Sequence, residues 1–378
     1  MIPYARQVVD EQDVEAVARV LTSTWLTTGP KVEEFEEAVA ERVGTKEAVA
    51  VSSGTAALHC AMHALGLGPG DEVIVPALTF VATANAVLYC GATPVFADVE
   101  ADTLLLDPGS VREKITKATK AVITMDYAGQ PSRYRELREI ADKAGATLVA
   151  DSCHALGARD QGAPVGSLAR MSVFSFHPAK HITTGEGGMV TLDDANLARR
   201  IRSFRNHGID RDLHSRAASR TFRYEMTELG FNYRLSDIQC ALGLSQLSRL
   251  SEFLRLRREA AKAYDAAFMD HGLIVPLSVR GGVEHAYHLY VVRVDFDRAG
   301  ISREEVYAKL LDLGIGVNVH YLPVHLQPYY RRRLGTGPGL CPVAEQAYGK
   351  ILSLPMHAAL GQDDVSRVVA AIGDIFPC

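Results

Sequence analysis

From about residue 45 the chain alternates between short runs that are apolar at nearly every position and longer stretches with helical spacing. The runs are Ala48-Val49-Ala50-Val51, Val73-Ile74-Val75, Pro94-Val95-Phe96-Ala97, Ala121-Val122-Ile123 and Thr147-Leu148-Val149-Ala150. Between them the pattern predicts helices over 55 to about 65, 81 to 89 and around 135 to 143, with a turn at Gly68-Pro69-Gly70-Asp71. Strands apolar on both faces must be covered on both, and intervening helices make successive strands parallel. The expected class is α/β, a mostly parallel sheet between helical layers.

The rhythm changes after about residue 232. Leu235, Ile238 and Leu242, then Leu247, Leu250 and Leu254, trace one long amphipathic helix that could connect two domains. Val292, Val294 and Phe296 alternate with Arg293, Asp295 and Asp297, as in a half-exposed antiparallel strand. Ser302 and Glu305 form a capping box, and Gly314 is placed to end the helix that they start. The expected division is a large domain over 1–245, including an N-terminal segment, and a smaller α+β domain over 246–378. A chain of 378 residues is long enough for both.

Composition narrows the function classes. Hydrophobic residues make up 47% and charged residues 22%, which favours a packed globular chain over disorder. Net charge is −5 and no dense Lys/Arg block occurs, so a nucleic-acid partner is not expected. Arg199-Arg200 and Arg331-Arg332-Arg333 read as solvated faces. The cysteines (Cys60, Cys90, Cys153, Cys240, Cys341 and Cys378) have neither metal nor redox spacing, so reduced thiols and no metal site are expected. There is no signal-peptide pattern at the N-terminus, and no apolar run approaches the ~18–20 residues of a membrane helix. The expected setting is cytoplasmic.

Three segments carry candidate chemistry. Val51-Ser52-Ser53-Gly54-Thr55-Ala56 runs from a strand into a helix whose free N–H groups suit an anion, with Gly54 allowing close approach. An ordinary strand–helix turn would read the same way. Asp151-Ser152-Cys153-His154 sits at the carboxyl end of an apolar strand, where open α/β sheets bind ligands. There Asp151 could pair with a protonated pyridine nitrogen and His154 could reach a ring hydroxyl; a capping aspartate and a partly buried histidine are the plainer alternatives. In Ser175-Phe176-His177-Pro178-Ala179-Lys180, Lys180 stands in a loop among apolar, hydroxylated and glycine neighbours. Desolvation there would make its amine nucleophilic toward a carbonyl, although most loop lysines are merely solvated.

In that order, the phosphate turn, the strand-end acid and the isolated lysine resemble fold-type-I pyridoxal-phosphate enzymes, and more narrowly the sugar-nucleotide aminotransferases. Trp25-Leu26-Thr27-Thr28-Gly29-Pro30, Gly230-Phe231-Asn232-Tyr233-Arg234-Leu235-Ser236-Asp237 and Val319-His320-Tyr321 extend the resemblance over nearly the whole chain. It implies a large domain with a mostly parallel seven-stranded sheet and a smaller C-terminal α+β domain. It also implies pyridoxal 5′-phosphate as cofactor, passing through pyridoxamine 5′-phosphate in turnover. Lys180 would be the Schiff-base lysine and proton shuttle, Asp151 the pyridinium partner, His154 the residue beside the ring hydroxyl and Phe80 the stacking aromatic. Gly54, Thr55, Ala56 and Ser175 would cradle the phosphate, reached also by Asn232 of a second subunit in an obligate homodimer. Tyr4, Leu26, Thr27, Thr28, Gly29, His320 and Tyr321 would line the sugar-nucleotide pocket.

Lys180 argues against the family's dehydratases, which carry histidine in its place. Ile182-Thr183-Thr184-Gly185-Glu186-Gly187-Gly188 is similar to the group that aminates C4. The implied reaction moves an amino group from glutamate to C4 of a nucleotide-linked 4-keto-6-deoxy sugar. The subgroup most resembled forms UDP-4-amino-4,6-dideoxy-N-acetyl-β-L-altrosamine from UDP-2-acetamido-2,6-dideoxy-β-L-arabino-hexos-4-ulose on the route to pseudaminic acid. A UDP-4-keto-pentose or a GDP-4-keto-6-deoxymannose would need the same chemistry. A Rossmann nucleotide-sugar dehydrogenase or epimerase would instead need a GxGxxG turn, and Gly66-Leu67-Gly68-Pro69-Gly70 lacks that spacing.

Overall fold

The computed structural model describes residues 1–209 and 222–376; Cys378 lies outside them. In chain order its first strands are β1 (Glu47–Val51), β2 (Glu72–Pro76), β3 (Thr93–Ala97), β4 (Thr119–Met125) and β5 (Thr147–Asp151), then the two-residue β6 (Arg159–Asp160) and β7 (Ala163–Pro164), then β8 (Met171–Ser175) and β9 (Gly188–Leu192). Seven of these form one sheet in the order β1-β9-β8-β5-β4-β2-β3. Only β9 runs against the others, pairing antiparallel with β1 and β8. The mostly parallel seven-stranded α/β sheet expected from the sequence is therefore present.

The apolar runs become strands because each has two faces to bury. Along β1, Val49 and Val51 enter one core while Ala48 and Ala50 enter the other; β2 splits the same way, with Val73 and Val75 opposite Ile74. A side-chain period of two sends alternate residues to opposite helical layers. Helix Gly54–Ala64 packs on β8 and β9, and helix Tyr134–Lys143 on β4 and β5.

Strand direction decides where chemistry gathers. β1, β5 and β8 share one direction, so Val51, Asp151 and Ser175 end at one edge of the sheet. Because β9 is reversed, its first residue joins them: Gly188 pairs with both Val51 and Ser175. A Cβ on Gly188 would lie 2.4 Å from the carbonyl oxygen of Ser53 and 2.8 Å from the nitrogen of Gly54. Neither atom can step aside without moving the turn. Gly188→Ala is thus expected to destabilise the chain by about 1–3 kcal/mol and to displace the turn before helix Gly54–Ala64. Urea unfolding checks the first effect; an unchanged midpoint would contradict it.

The later elements depart from expectation in two places. The long helix drawn through Leu235 to Leu254 is broken into Asp237–Ser248 and Leu250–Phe268, with Arg249 at φ −99°, ψ 2° between them. Ser248 Oγ donates back to the Ser245 carbonyl (2.6 Å), a bond that weakens a helix end, and Arg249 is drawn into ion pairs with Asp10 and Asp13. The alternation from Val292 to Asp297 reads as strand only as far as Val294. Asp295 then accepts from Arg298 N and caps the short helix Phe296–Ala299. The Ser302 capping box forms as expected, and Gly314 follows helix Arg303–Asp312 at φ +73°.

A second sheet places β12 (Tyr290–Val294) between β10 (Ile274–Pro276) and β13 (Ile351–Leu354); β11 (Val283–Glu284) pairs with β6. Tyr290, Val292 and Val294 belong to a third core with Ile2, Tyr264, Leu310 and Ile372, whereas Leu289 and Val291 belong to a core of the large sheet. Among the described residues no helix is long and apolar enough to cross a membrane.

Candidate active site

At the shared strand edge, β5 delivers Asp151, which is 3% exposed. Its Oδ2 accepts from Thr83 Oγ (2.7 Å), and Thr83 in turn lies 2.7 Å from Thr79 Oγ. Helix Val81–Tyr89 places that pair, with Phe80 at its N-cap. Among the described residues Oδ1 is engaged by Cys153 alone, whose N–H lies at 3.3 Å, so a lone pair remains for an incoming donor.

Lys180 follows β8 in a turn closed by its own N–H to the His177 carbonyl (2.8 Å). Its Nζ lies 3.4 Å from His288 Nε2. Burial lowers its proton affinity, while Cys153 and Asp151 pull the other way. His154 is buried nearby, with Nε2 3.1 Å from the Tyr321 hydroxyl and, among the described residues, no partner for Nδ1. Its ring packs on that of His288 at 4.2 Å between centroids. Burial, and then the nearby Lys180 amine, hold both imidazoles well below their ordinary value.

Gly54 starts helix Gly54–Ala64, and a Cβ there would fall 2.9 Å from Ser175 Cβ and 3.2 Å from Cys153 Sγ. The turn, β8 and the residue after β5 therefore meet over a bare backbone. Ser53 caps the helix through the Ala56 N–H, and the N–H groups of Gly54 and Thr55 have no intrahelical acceptor. A helix start of this kind suits an anion. The Phe80 ring is 52% exposed and lies 6.0 Å from that of Tyr321, an aromatic face left uncovered at the mouth of the site. An uncovered ring, a buried carboxylate with a spare lone pair, a desolvated amine and an anion cradle fit a phosphorylated pyridine aldehyde.

Tyr4 and His320 border the same cluster, with rings 5.9 Å apart; His320 Nδ1 lies 2.8 Å from Ser353 Oγ, and Tyr127 donates to the His320 carbonyl. The stretch from Leu26 to Gly29 is gathered elsewhere, on the start of helix Asp237–Ser248. Asp237 N donates to the Leu26 carbonyl (3.1 Å), Thr27 bridges Ser236, and Gly29 N donates to Asp237 Oδ2 (2.7 Å). Asn232 is exposed, bridging Asn206. Thr27, Thr28 and Gly29 share a groove with Asn206 and Arg234.

Sequence reading missed Thr83, Arg257 and His288. Arg257 was legible: it falls on the apolar stripe of its helix, at the core-facing spacing of Phe253, Leu254 and Tyr264. His288 belongs to no motif; the only hint is a pair of histidines, His285 and His288, in a stretch otherwise poor in charge.

Buried neutral imidazoles give a pH signature. His320 and His357 are held near 4, mainly by burial, against an ordinary value of 6.5. The unfolded chain takes up protons first as pH falls, so the stabilisation is full above 6.5 and is lost on the way down to 4. Each group contributes up to about 1.4 kcal/mol per pH unit in that window. Unfolding free energy in urea is expected to drop by several kcal/mol between about pH 7 and about pH 5, and a flat profile would refute this.

Known proteins share this arrangement of elements. The profile of the DegT/DnrJ/EryC1/StrS aminotransferase family matches residues 7–373. The Spore coat polysaccharide biosynthesis protein SpsC of Bacillus subtilis is 40% identical over 377 residues, 99% of this chain and 97% of its own. Among solved structures, the PMP-form of Spr1654 from Streptococcus pneumoniae superimposes with a TM-score of 0.93 at 32% identity, covering 99% of both chains. Helicobacter pylori PseC, described as an aminotransferase involved in the biosynthesis of pseudoaminic acid, gives 0.92 at 34% identity, again over 99% of both chains.

Proposed function

The chain belongs to the DegT/DnrJ/EryC1/StrS aminotransferase family, and from that premise we propose that it transfers the amino group of glutamate to C4 of a nucleotide-linked 4-keto-6-deoxy sugar, UDP-2-acetamido-2,6-dideoxy-β-L-arabino-hexos-4-ulose. The observation that carries the reading is the Lys180 amine, desolvated at the strand edge beside Asp151 and the Gly54 cradle. Bound there, pyridoxal phosphate supplies an electron-withdrawing ring and an aldehyde carbon that carries the amino group between donor and acceptor.

The chain's own residues hold and move protons around that centre. Lys180 would anchor the cofactor and, once released, would take and return the proton at the substrate carbon. Asp151, oriented by Thr83, keeps the ring nitrogen protonated. Phe80 would cover the ring face, and His154 would stand beside the ring hydroxyl. Gly54, Thr55, Ala56 and Ser175 bind the phosphate. Glutamate leaves as 2-oxoglutarate before the keto sugar enters between Tyr4, His320 and Tyr321.

The reading includes an obligate homodimer in which Asn232 and Leu26 to Gly29 serve a neighbour's site. Its support is that these residues gather at the start of helix Asp237–Ser248 rather than on the Lys180 cluster, amid exposed apolar side chains such as Trp25, Leu229 and Phe231.

Visible absorption tests the reading. Protein loaded with pyridoxal phosphate should show the lysine-bound band, lose it on addition of glutamate and regain it with the keto sugar. Bleaching without recovery would reject this sugar. No band at all would reject the role of Lys180.

A further inference from the structure

His288 makes the nearest polar approach to the Lys180 amine, with Nε2 3.4 Å from Nζ. It comes from a different part of the chain, the segment just before β12, and three features force that segment into the site. Arg257, 1% exposed, donates through Nη1 to the carbonyls of Tyr287 (3.1 Å), His288 (3.4 Å) and Met356 (3.0 Å). The turn at Ala128 and Gly129 accepts from Leu289 N (3.1 Å) and Ala286 N (2.9 Å). Gly129 must be glycine for this, since a Cβ would lie 2.9 Å from Tyr287 N and 3.0 Å from His288 N. Finally, Tyr287 is held at φ +46°, a conformation costly for a side chain this large. A buried arginine with no carboxylate partner among the described residues and a left-handed tyrosine both serve to fix one imidazole beside Lys180.

We propose that His288 is a positioning residue of this site: its Nε2 accepts a hydrogen bond from the free Lys180 amine, aims it and strengthens its hold on a proton. This rests on the reading of Lys180 given above. When Lys180 carries its proton the ammonium has donors and no acceptor, so in that state Nε2 accepts and the ring proton sits on Nδ1. Among the described residues that Nδ1 is buried without a partner, as are ring nitrogens of His154, His181 and His357, so no neighbour fixes the opposite tautomer. The groups facing Lys180 leave the role open: Asp151 and Cys153 from the end of β5, His154 beyond them, Arg257 from its helix, His181 next in sequence and His320 across the site. His154, His181, His288 and His320 are all kept neutral by burial, so His288 can accept without competing for the charge. The proton stays on Lys180; His288 only holds the group that carries it.

The test compares His288→Leu, which has no acceptor, with His288→Gln, whose amide oxygen can accept. In cofactor-free protein, the pH dependence of Lys180 acetylation by acetic anhydride, read on the tryptic peptide by mass spectrometry, reports the amine's proton affinity. His288→Leu should lower it by about one pH unit, and His288→Gln should recover at least half of that. In loaded protein, the glutamate half-reaction of His288→Leu should slow by about 10- to 100-fold while the lysine-bound band persists. An unshifted Lys180 profile in His288→Leu overturns the proposal. If that variant does not fold, nitrogen NMR of the unaltered protein decides: an unprotonated Nε2 on His288 supports the proposal, and a protonated one overturns it. Absence of the lysine-bound band in the unaltered protein would instead overturn the function reading, and the acetylation profile stands apart from it.

Discussion

Lys180→Ala is expected to reduce turnover by at least about 10,000-fold and to leave no lysine-bound absorption band. Two tasks fall to one amine here, covalent anchoring and proton transfer, and no neighbour can assume either. None can form the covalent link: His288 and His154 are neutral imidazoles packed on each other, and His181 is turned to the Ala286 carbonyl (3.1 Å). The substitution also removes an ammonium from a desolvated position, so the folded chain should lose no stability by it. Single-turnover kinetics with glutamate and a thermal melt measure the two effects together. Retention of more than about one per cent of the rate, with the fold intact, would show that the proton passes through another group.

Asp151→Asn should cost about 1,000-fold in turnover with far less effect on cofactor retention. The Thr83 hydroxyl already occupies Oδ2 and would keep an amide oxygen in that place. The amide nitrogen would then face the ring as a donor, where Oδ1 now offers a lone pair. The ring nitrogen would lose its proton, and with it the pull on electrons that the amino transfer requires. Equilibrium dialysis of the cofactor and kcat for the glutamate half-reaction separate the two effects. An equal loss in both would mean that Asp151 acts chiefly in binding.

Local signals carried most of the large sheet. The runs at 48–51, 73–75, 94–97, 121–123 and 147–150 became β1 to β5, because each is apolar on two faces and so demands two helical layers. Asp151 was visible as a charge ending a buried strand, and Lys180 as the lone lysine in a loop rich in apolar, hydroxylated and glycine residues. The elements that failed depend on distant partners. Nothing near Arg249 says that Asp10 and Asp13 will pull it out of a continuous helix. Nothing near His288 says that a turn at Ala128 and Gly129 and an arginine on another helix will press it against Lys180. The gathering of Leu26 to Gly29 on Asp237 is likewise a contact across some two hundred residues, set by one buried carboxylate.

Strand β12 and the residue before it send alternate side chains into two different cores, with Leu289 and Val291 on one side and Tyr290, Val292 and Val294 on the other. A hybrid enzyme assembled from this chain and a relative could not be spliced between His288 and Val294. One residue gained or lost there would exchange the two faces, turning tyrosine and valine meant for one core into the other. The same slip would carry the imidazole of His288 away from Lys180. Lineages that trade C-terminal portions are therefore bound to keep the spacing from His288 to Val294 fixed, however freely the surface residues around it drift.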